Sequence, residues 1–251
     1  MNLLIGSTGF VGSHLRKFFP FDCLIHRPNM SSIRDGEFEF MVCAGLPAEK
    51  WKVQADPKSD WENLNSLAQL VSTISVKTAV LISTIDVYQN QIEPHENTFP
   101  DLNGTGHYGS HRAWFEMFFR AKFPNGLVVR LPGLYSSDVR KNFVHDLLHE
   151  KHDQYSNING QSRFQYFDVT QTGPLIVESL MLNISTLNVA TEPVLASDIA
   201  DIFGVELKSE TNPVNYSMKS IHAEKFGGQN GYLRSSKDVL EGIRSLLPFK
   251  P

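Results

Sequence analysis

The sequence has few cysteines and no long hydrophobic run. Cys23 and Cys43 are the only cysteines among the 251 residues, too few for a disulfide framework. Both fall in predicted strands, where a buried thiol is more common than a disulfide or a metal ligand. No apolar stretch is long enough to cross a membrane, and the first predicted strand begins at residue 3, which leaves no room for a signal peptide. We therefore expect a cytoplasmic protein that does not bind membranes.

A strong charge of either sign is also missing. The formal net charge is -4, which argues against an electrostatic nucleic-acid binder. Hydrophobic residues make up 41% of the chain and charged residues 20%, as in an ordinary globular protein. This length suits one α/β domain with a small second lobe.

The first 15 residues predict a strand, a glycine turn and a helix. An apolar run at residues 3–5 precedes Gly6, Gly9 and Gly12, and apolar residues then recur at helical spacing. A glycine turn lets the backbone approach a pyrophosphate, and the helix N-terminus attracts the anion. The spacing differs from the commonest G-x-G-x-x-G fingerprint, so a purely structural turn stays the alternative. For a bound dinucleotide we expect contacts from Gly6, Ser7, Thr8, Gly9, Phe10, Val11 and Gly12.

Strands and helices alternate along the rest of the first half, which favours a Rossmann-type, doubly wound parallel sheet in an α/β fold. The pattern predicts strands at 22–27, 38–44, 79–83 and 127–131, and helices at 60–75, capped by Asp60, and 108–121. Residues 28–36 are too few for a full helix and strand, so one crossover is shortened. Ligands bind outside the carboxyl ends of such strands. Further cofactor contacts are therefore expected from Ala44, Gly45, Leu46, Leu131, Gly133 and Leu134.

The pattern becomes looser after residue 134. It predicts helices at 142–150, 175–182, 195–203 and 236–247, the last capped by serine, and short strands at 164–167 and 187–190. We assign residues 1–135 to a dinucleotide-binding core, to which segments near 165–190 return. Residues 136–164 and 191–251 are assigned to a smaller substrate-binding lobe.

The end of the second predicted strand bears on the choice of cofactor. A carboxylate there favours NAD because it binds the ribose 2′-hydroxyl, whereas an arginine suits the 2′-phosphate of NADP. The chain has Arg27 at this point and no carboxylate before Asp35. We predict NADP, with NAD possible if Arg27 is only a solvated charge.

Tyr108 and Arg112 lie four residues apart in a predicted helix, so the guanidinium can sit beside the phenol. With these residues, the ordered motifs of the chain resemble the extended short-chain dehydrogenase/reductase family, the branch of nucleotide-sugar epimerases, dehydratases and reductases. The matching motifs, in the family's order, are GSTGFVGSHL (6–15), CAG (43–45), Asn65, STIDVY (83–88), YGSHR (108–112) with Glu116, and VRLPGLY (129–135). Weaker matches are RFQYFDV (163–169) and LNVATEPV (187–194).

The resemblance implies an NAD(P)-dependent enzyme in which Tyr108 is the acid/base and Thr84 holds the reacting oxygen of the substrate. The family has a lysine four residues after the tyrosine, which binds the nicotinamide ribose and lowers the pKa of the phenol. Arg112 replaces it here, keeping the charge but not readily releasing a proton. A working enzyme, a catalytically weakened dinucleotide sensor and a scaffold that keeps only the fold remain open at this point.

The resemblance also implies a nucleotide-sugar substrate, bound in the looser lobe. Arg163 is placed to contact a diphosphate, for which a bidentate guanidinium is suited, and Asn142 and Asp86 are further substrate candidates. Arg140 and Lys141 read as solvated charges at a helix start. Reduction, epimerisation and dehydration share this scaffold, so the reaction type stays open.

Two other features have structural interpretations. His145 and His149 share a helix spacing that can bind zinc, but without the glutamate of H-E-x-x-H we predict a solvated helix face and no metal site. The aromatic residues of the helices near 61–75 and 108–121 read as core or as a subunit interface. In the resembled family these helices commonly form a dimer contact, so we expect a homodimer.

Overall fold

The structure is a computed structural model and describes residues 1–26, 32–104 and 106–247. Arg27 lies outside the described residues. The chain divides into two compact units. The first comprises Met1–Gln89, Thr98–Arg130 and Thr172–Leu187, and the second comprises Asn90–Asn97, Leu131–Gln171 and Asn188–Pro251. Residues 131–135, which the sequence analysis grouped with the core, are therefore part of the second unit.

The described residues form ten strands and nine α-helices. The strands are β1 Asn2–Ile5, β2 Cys23–Ile25, β3 Glu37–Cys43, β4 Ser75–Thr84, β5 Leu127–Leu131, β6 Gly133–Tyr135, β7 Arg163–Phe164, β8 Tyr166–Asp168, β9 Thr186–Asn188 and β10 Val194–Leu195. The helices are α1 Phe10–Phe18, α2 Lys50–Ala55, α3 Pro57–Thr73, α4 Gly106–Lys122, α5 Phe143–Leu148, α6 His152–Tyr155, α7 Thr172–Met181, α8 Ala196–Ile202 and α9 Ser236–Arg244. Within the described ranges, no helix combines the length and the apolar character needed to span a bilayer.

Six strands form the main sheet, in the order β2-β1-β3-β4-β5-β9. β1 pairs in parallel with both β2 and β3, and β3 pairs in parallel with β4. The predicted doubly wound parallel sheet is therefore confirmed. Because the strands run in parallel, the residues that follow β1, β3 and β4 emerge at the same edge of the sheet.

Both faces of this sheet are buried. Leu3 and Leu81 belong to an apolar core that includes Leu64 of α3 and Phe115 of α4. Successive strand side chains point to opposite faces, so Leu4, which is fully buried, faces the other side. Helix α1 contacts β1 and packs against α7. Strands covered on both sides explain the continuous apolar runs of the sequence.

The second unit has an apolar core of its own and two small sheets. β6 pairs in parallel with β8, and β7 pairs antiparallel with β10. Tyr166 and Ile243 belong to the core. Ser235 precedes α9 and accepts a hydrogen bond from the backbone N–H of Asp238, whose carboxylate accepts one from the backbone of Ser235. The predicted serine cap is confirmed.

The start of α3 differs from the prediction. The helix begins at Pro57, after the N-cap residue Asp56, whose carboxylate accepts a hydrogen bond of 3.1 Å from the backbone N–H of Ser59. Proline suits a first helical turn because its missing N–H has no partner there. Asp60, predicted as the cap, instead lies inside the first turn and is buried. The prediction of Asp60 as cap was wrong, because Asp56 already satisfies the helix start.

The sequence pattern did not predict four short elements. α2, α6, β6 and β10 have six residues or fewer, too few to show a period of their own. β4 begins at Ser75, four residues earlier than predicted, because Ser75 and Val76 pair with Glu37 and Phe38 of β3. The strand is thus extended by its neighbour rather than by its own hydrophobicity.

Both cysteines are free thiols. Cys43 is fully buried at the end of β3, and burial raises the pKa of its thiol to about 12. Cys23 is only half-buried. The structural interpretation of the thiols therefore holds for Cys43, and Cys23 lies less deep than predicted.

Candidate active site

The glycine turn after β1 depends on two positions that accept no side chain. Gly6 has a φ of +87°, and a Cβ there would lie 2.7 Å from the backbone nitrogen of Gly45. A Cβ on Gly12 would collide with the carbonyl oxygen of Gly6. These glycines therefore let β1, α1 and the segment after β3 approach one another closely.

The N-terminus of α1 opens from this turn. Gly9 is its N-cap residue and has no side chain with which to cap the first turn, which contains no acidic residue. Ser7 is buried, whereas Thr8 and Gly9 are exposed and Phe10 and Val11 are half-buried. The N–H groups of a helix N-terminus and the positive end of its dipole can attract an anion.

The segment Ala44–Leu46 lies beside the turn. The backbone N–H of Ala44 donates a 2.8 Å hydrogen bond to the carbonyl of Ile5, and Gly45 and Leu46 are half-buried. The structure thus brings together the cofactor candidates that follow β1 and β3. Leu131, Gly133 and Leu134 are in the second unit, where Gly133 and Leu134 pair with Tyr166 and Phe167.

Thr84 and Tyr108 form the centre of the candidate site. Thr84 is the last residue of β4, and its side chain lies close to the phenol of Tyr108, near the start of α4. The hydroxyl oxygen of Thr84 also accepts a hydrogen bond of 3.2 Å from the backbone N–H of Asp86. Tyr108 is 6% exposed. The two hydroxyls predicted to act together are therefore close to each other.

The pKa of Tyr108 is raised from its ordinary value. Burial is the largest cause, because it disfavours the phenolate. The Arg112 charge opposes this and lowers the pKa, the Asp86 charge raises it, and the Thr84 hydrogen bond and the Lys50 charge lower it. The balance keeps the phenol protonated at neutral pH.

Arg112 is held by other groups of the protein. Its guanidinium is 1% exposed; Nη1 donates to Asp60 Oδ2 at 2.5 Å and Nη2 to Asp60 Oδ1 at 2.9 Å. Nη2 also donates to the carbonyl of Pro47 at 2.5 Å, and Nε, which is buried, has no hydrogen-bond partner among the described residues. The Cζ atom lies 4.2 Å from the ring centroid of Tyr108. The cation is therefore beside the phenol, as the helix spacing predicted.

Asp60 is a residue that the sequence analysis missed at this site. Its carboxylate serves Arg112 and also lies 2.7 Å from Nδ1 of His111. A signal was present in the sequence, because Asp60 stands four and seven residues before Leu64 and Leu67, on the apolar face of α3. A carboxylate on a buried face needs a cationic partner.

Asp86 lies in a short 3₁₀ turn directly after β4. Its carboxylate accepts a 2.8 Å hydrogen bond from the ammonium group of Lys50, the first residue of α2. The side chains of Lys50 and Asp86 are 47% and 20% exposed. Asp86, predicted as a substrate contact, is thus paired next to Thr84. No sequence signal singled out Lys50, because α2 was not predicted.

Arg130 and Glu116 form a second buried ion pair, which contacts Ser83 of β4. Arg130 donates to both carboxylate oxygens of Glu116, and the hydroxyl of Ser83 donates to Glu116 at 2.6 Å. Arg130 also donates to the phenol oxygen of Tyr88. Burial opposes the charge of Arg130, but Glu116 and Tyr88 outweigh it and raise the pKa of the guanidinium. These contacts hold the end of β4 against α4.

The two substrate candidates of the second unit, Asn142 and Arg163, differ in their surroundings. The side chain of Asn142 bonds to the backbone, whereas Arg163 is exposed. Asn142 is the N-cap residue of α5, where its Oδ1 accepts from the backbone of His145 at 3.1 Å and its Nδ2 donates to the carbonyl of Leu134 at 2.7 Å. Arg163 is exposed in β7. Its backbone N–H donates to the carbonyl of Val214, so its side chain extends from a fixed strand.

His145 corrects the prediction of a solvated helix face. It is 7% exposed, and its Nδ1 lies 2.9 Å from the carboxylate of Asp146. The rings of His145 and His149 are 4.3 Å apart. Helix α5 packs against α6, which the sequence analysis did not predict, and this explains the burial. In the part of the chain that the structure describes, no group of three metal-ligating side chains is arranged for an ion.

Solved structures share this fold, whereas comparisons with family models and with curated proteins give no match. dTDP-4-dehydrorhamnose reductase from Yersinia enterocolitica is 14% identical, with a TM-score of 0.74 over 98% of this chain and 99% of that one. UDP-glucose 4-epimerase from Thermotoga maritima, solved with UDP-glucose, is 14% identical, with a TM-score of 0.65 over 97% and 96%. RMD from Pseudomonas aeruginosa, complexed with NADPH, is 18% identical, with a TM-score of 0.69 over 98% of each chain. The fold that the motif resemblance implied is confirmed.

Proposed function

We propose that the chain belongs to the extended short-chain dehydrogenase/reductase family. In this proposal it is an NAD(P)-dependent oxidoreductase or epimerase that acts on a carbonyl or hydroxyl carbon of a nucleotide sugar. The observation that carries the proposal is that Thr84, at the end of β4, and the Arg112 guanidinium both lie beside the phenol of Tyr108. The compared proteins support the substrate class, because they include a reductase and an epimerase of nucleotide sugars.

The glycine turn fits a dinucleotide. The backbone from Gly6 to Gly12 would hold the pyrophosphate at the N-terminus of α1, because the N-cap residue Gly9 provides no side-chain cap and the first turn contains no acidic residue to repel an anion. Ala44, Gly45 and Leu46 would line the adjacent strand end, and the roles of Leu131, Gly133 and Leu134 as cofactor contacts stay a prediction. When bound, a nicotinamide dinucleotide supplies or accepts the hydride.

Arg27 is the proposed determinant of NADP over NAD. A guanidinium binds a 2′-phosphate strongly, whereas a carboxylate at the same place binds the 2′-hydroxyl. Arg27→Asp should therefore reverse the ratio of the Kd values for NADPH and NADH, and the matched variant Arg34→Asp, at an exposed arginine, should not. An unchanged ratio in Arg27→Asp would remove the argument for NADP.

The chain's own groups handle the proton. In the reductive direction, the hydroxyl of Tyr108 donates its proton to the substrate oxygen while Thr84 hydrogen-bonds that oxygen. In the oxidative direction, the phenolate of Tyr108 takes the proton back. Burial keeps Tyr108 protonated until it is used, and Arg112 then stabilises the phenolate across a short distance.

Asp60 acts through Arg112 in this scheme. Both terminal nitrogens of the guanidinium donate to Asp60, so Arg112 is oriented towards the tyrosine ring rather than towards solvent. Its charge, more than a hydrogen bond to a ribose, is then its main contribution to the reaction. A lysine at this place would have no equivalent fork to bind both carboxylate oxygens.

The test of the proposal begins with binding. NADPH and NADH are titrated against the purified protein, and a panel of nucleotide sugars and their keto derivatives is then screened for changes in nicotinamide absorbance. Epimerisation, which leaves the cofactor unchanged overall, is followed by separating the sugar products. Turnover of one nucleotide sugar supports the proposal, and failure of both dinucleotides to bind contradicts it.

A dinucleotide-binding sensor is the second candidate. The observation that favours it is the complete enclosure of Arg112 by Asp60 and the carbonyl of Pro47, together with the raised pKa of Tyr108. A sensor binds the dinucleotide but shows neither absorbance change nor product across the panel. The same screen therefore separates the two candidates.

The second unit would hold the substrate. Arg163 is proposed to contact the diphosphate, because its exposed guanidinium can bind it in a bidentate manner. Asn142 would act by fixing α5 and Leu134. Arg163→Met should raise the KM for a nucleotide sugar more than that for the cofactor, and an equal effect on both would contradict the assignment.

We also propose a homodimer formed through α3 and α4. The rings of Trp61 and Trp114 are 4.7 Å apart, and Trp114 stacks on Phe118. Trp61 is 36% exposed and Met117 of α4 is 47% exposed, so apolar surface remains at these helices. Light scattering should give twice the monomer mass, and Met117→Lys should reduce it; a monomeric native protein would contradict the proposal.

A further inference from the structure

Tyr108 lies among four charged groups that form two ion pairs. Arg112 of α4 pairs with Asp60 of α3, which His111 also contacts, and Lys50 of α2 pairs with Asp86 in the 3₁₀ turn after β4. Helix α4 packs against α2, α3 and that 3₁₀ turn. These elements therefore bring both pairs to the same phenol.

The two pairs differ in what each carboxylate does to the phenol. Asp60 holds both terminal nitrogens of the buried guanidinium, so its charge is compensated by Arg112. Asp86 follows Thr84 by two residues, and its backbone N–H donates a 3.2 Å hydrogen bond to the hydroxyl of Thr84, which lies close to Tyr108. A negative charge at Asp86 disfavours the phenolate unless a cation compensates it.

Lys50 supplies that cation. Its Nζ lies 2.8 Å from Asp86 Oδ1. Lys50 is the first residue of α2, a helix of six residues. We propose that Lys50 is a positioning residue of the Tyr108 site, which compensates Asp86 and so favours formation of the Tyr108 phenolate. This inference rests on the proposed role of Tyr108 as acid/base.

The direction of the electrostatic effects agrees with the geometry. The pKa of Tyr108 is raised by burial first, then lowered by Arg112, raised by Asp86 and lowered by Lys50. Removal of the Lys50 charge should therefore raise this pKa further, and removal of the Asp86 charge should lower it. Lys50→Arg keeps the positive charge and should therefore leave the pKa of Tyr108 unchanged.

The pH dependence of the oxidative reaction tests the proposal. This direction needs the phenolate, so activity is gained as pH rises through the pKa of Tyr108. The rising limb should move to higher pH in Lys50→Met and to lower pH in Asp86→Asn, and stay in place in Lys50→Arg. At neutral pH, Lys50→Met should lose activity by about two- to fivefold, the range expected for a partly exposed ion pair. The loss should shrink at high pH, where the phenolate forms in both proteins.

A merely structural role would give a different result. It would lower activity by the same factor at every pH and would lower the thermal unfolding temperature of Lys50→Met. A limb that does not move in Lys50→Met, or that moves equally in Lys50→Arg, would overturn the proposal.

The proposal can be separated from the proposed function by a measurement that needs no turnover. Tyrosine labelled with ¹³C at Cζ reports ionisation by NMR, and the signal of Tyr108 is assigned by its absence in Tyr108→Phe. The titration midpoints should follow the order Asp86→Asn, then native protein and Lys50→Arg together, then Lys50→Met. If the midpoints follow this order but no substrate is turned over, the role of Lys50 is supported and the proposed enzymatic function is contradicted. Any other order of midpoints would overturn the role of Lys50.

Discussion

The carboxylate of Asp60 binds both terminal nitrogens of Arg112, at 2.5 and 2.9 Å, and so fixes the guanidinium 4.2 Å from the ring centroid of Tyr108. An arginine in place of the lysine of the resembled family is thus accompanied by a buried carboxylate that suits its planar fork. Arg112 of α4 is therefore bound to Asp60 of α3, so this arginine connects the two helices.

The first prediction concerns the stability that this pair contributes. Asp60→Asn should lower the free energy of unfolding by about 3–5 kcal/mol, because it leaves the buried charge of Arg112 without its partner. Urea denaturation measures the change. Glu62→Gln, on the same helix but with a 67% exposed side chain, is the matched control and should change it by less than about 0.5 kcal/mol. Equal effects of both variants would contradict the buried pair.

The second prediction concerns the electrostatic role of Arg112. Because its charge lowers the pKa of Tyr108, Arg112→Met should move the rising limb of the oxidative pH profile to higher pH. Arg112→Lys keeps the charge and should leave the limb close to its native position. The double variant Asp60→Asn with Arg112→Met removes the uncompensated carboxylate and so serves as the folding control. If the rising limb of the pH profile stays at its native position in Arg112→Met, the guanidinium does not act on the phenol.

The third prediction tests Tyr108 itself. Tyr108→Phe removes the proton donor and should lower kcat by about 10²- to 10⁴-fold, with little change in the Kd for the dinucleotide. Tyr232→Phe removes a half-buried hydroxyl of the second unit and should leave kcat unchanged. Native turnover in Tyr108→Phe would refute the assignment of the acid/base.

The fourth prediction separates the structural and binding roles of the glycine turn. Gly12→Ala should destabilise the fold by about 1–3 kcal/mol or more, because its Cβ would collide with the backbone of Gly6. Gly9 is exposed, and a Cβ there would lie 3.2 Å from the carbonyl oxygen of Gly6. Gly9→Ala should therefore keep most of the stability and weaken dinucleotide binding, as isothermal titration calorimetry can show. Unchanged binding in Gly9→Ala would mean that the turn is structural only.

The sequence was sufficient where the pattern was local. The strand, glycine turn and helix at residues 2–18, the long helix that carries Tyr108, and the serine cap of α9 all follow from short-range periodicity or capping. Thr84 and Tyr108 could be paired because strand order and the family motifs place both at one edge of the sheet. Their roles on one substrate oxygen stay a prediction.

The sequence was insufficient where the partner comes from another element. Asp60 was taken for a cap, because its buried cation lies 52 residues further along the chain. Lys50 was missed because α2 is too short to show a period, and His145 was assigned to solvent because α6 was not predicted. In each case tertiary packing decides the role of a charged or titratable side chain, and local pattern does not contain that information.

The unequal burial of the two ion pairs beside Tyr108 has a consequence for ionic strength. Dissolved salt screens the Lys50–Asp86 pair, whose side chains are 47% and 20% exposed, but hardly reaches Arg112 and Asp60, at 1% and 4%. Salt therefore acts on the phenol through the outer pair alone. Since screening weakens an unfavourable carboxylate and a favourable ammonium together, the native site changes little with salt. In Lys50→Met only the carboxylate remains to be screened, so added salt should partly restore the phenolate.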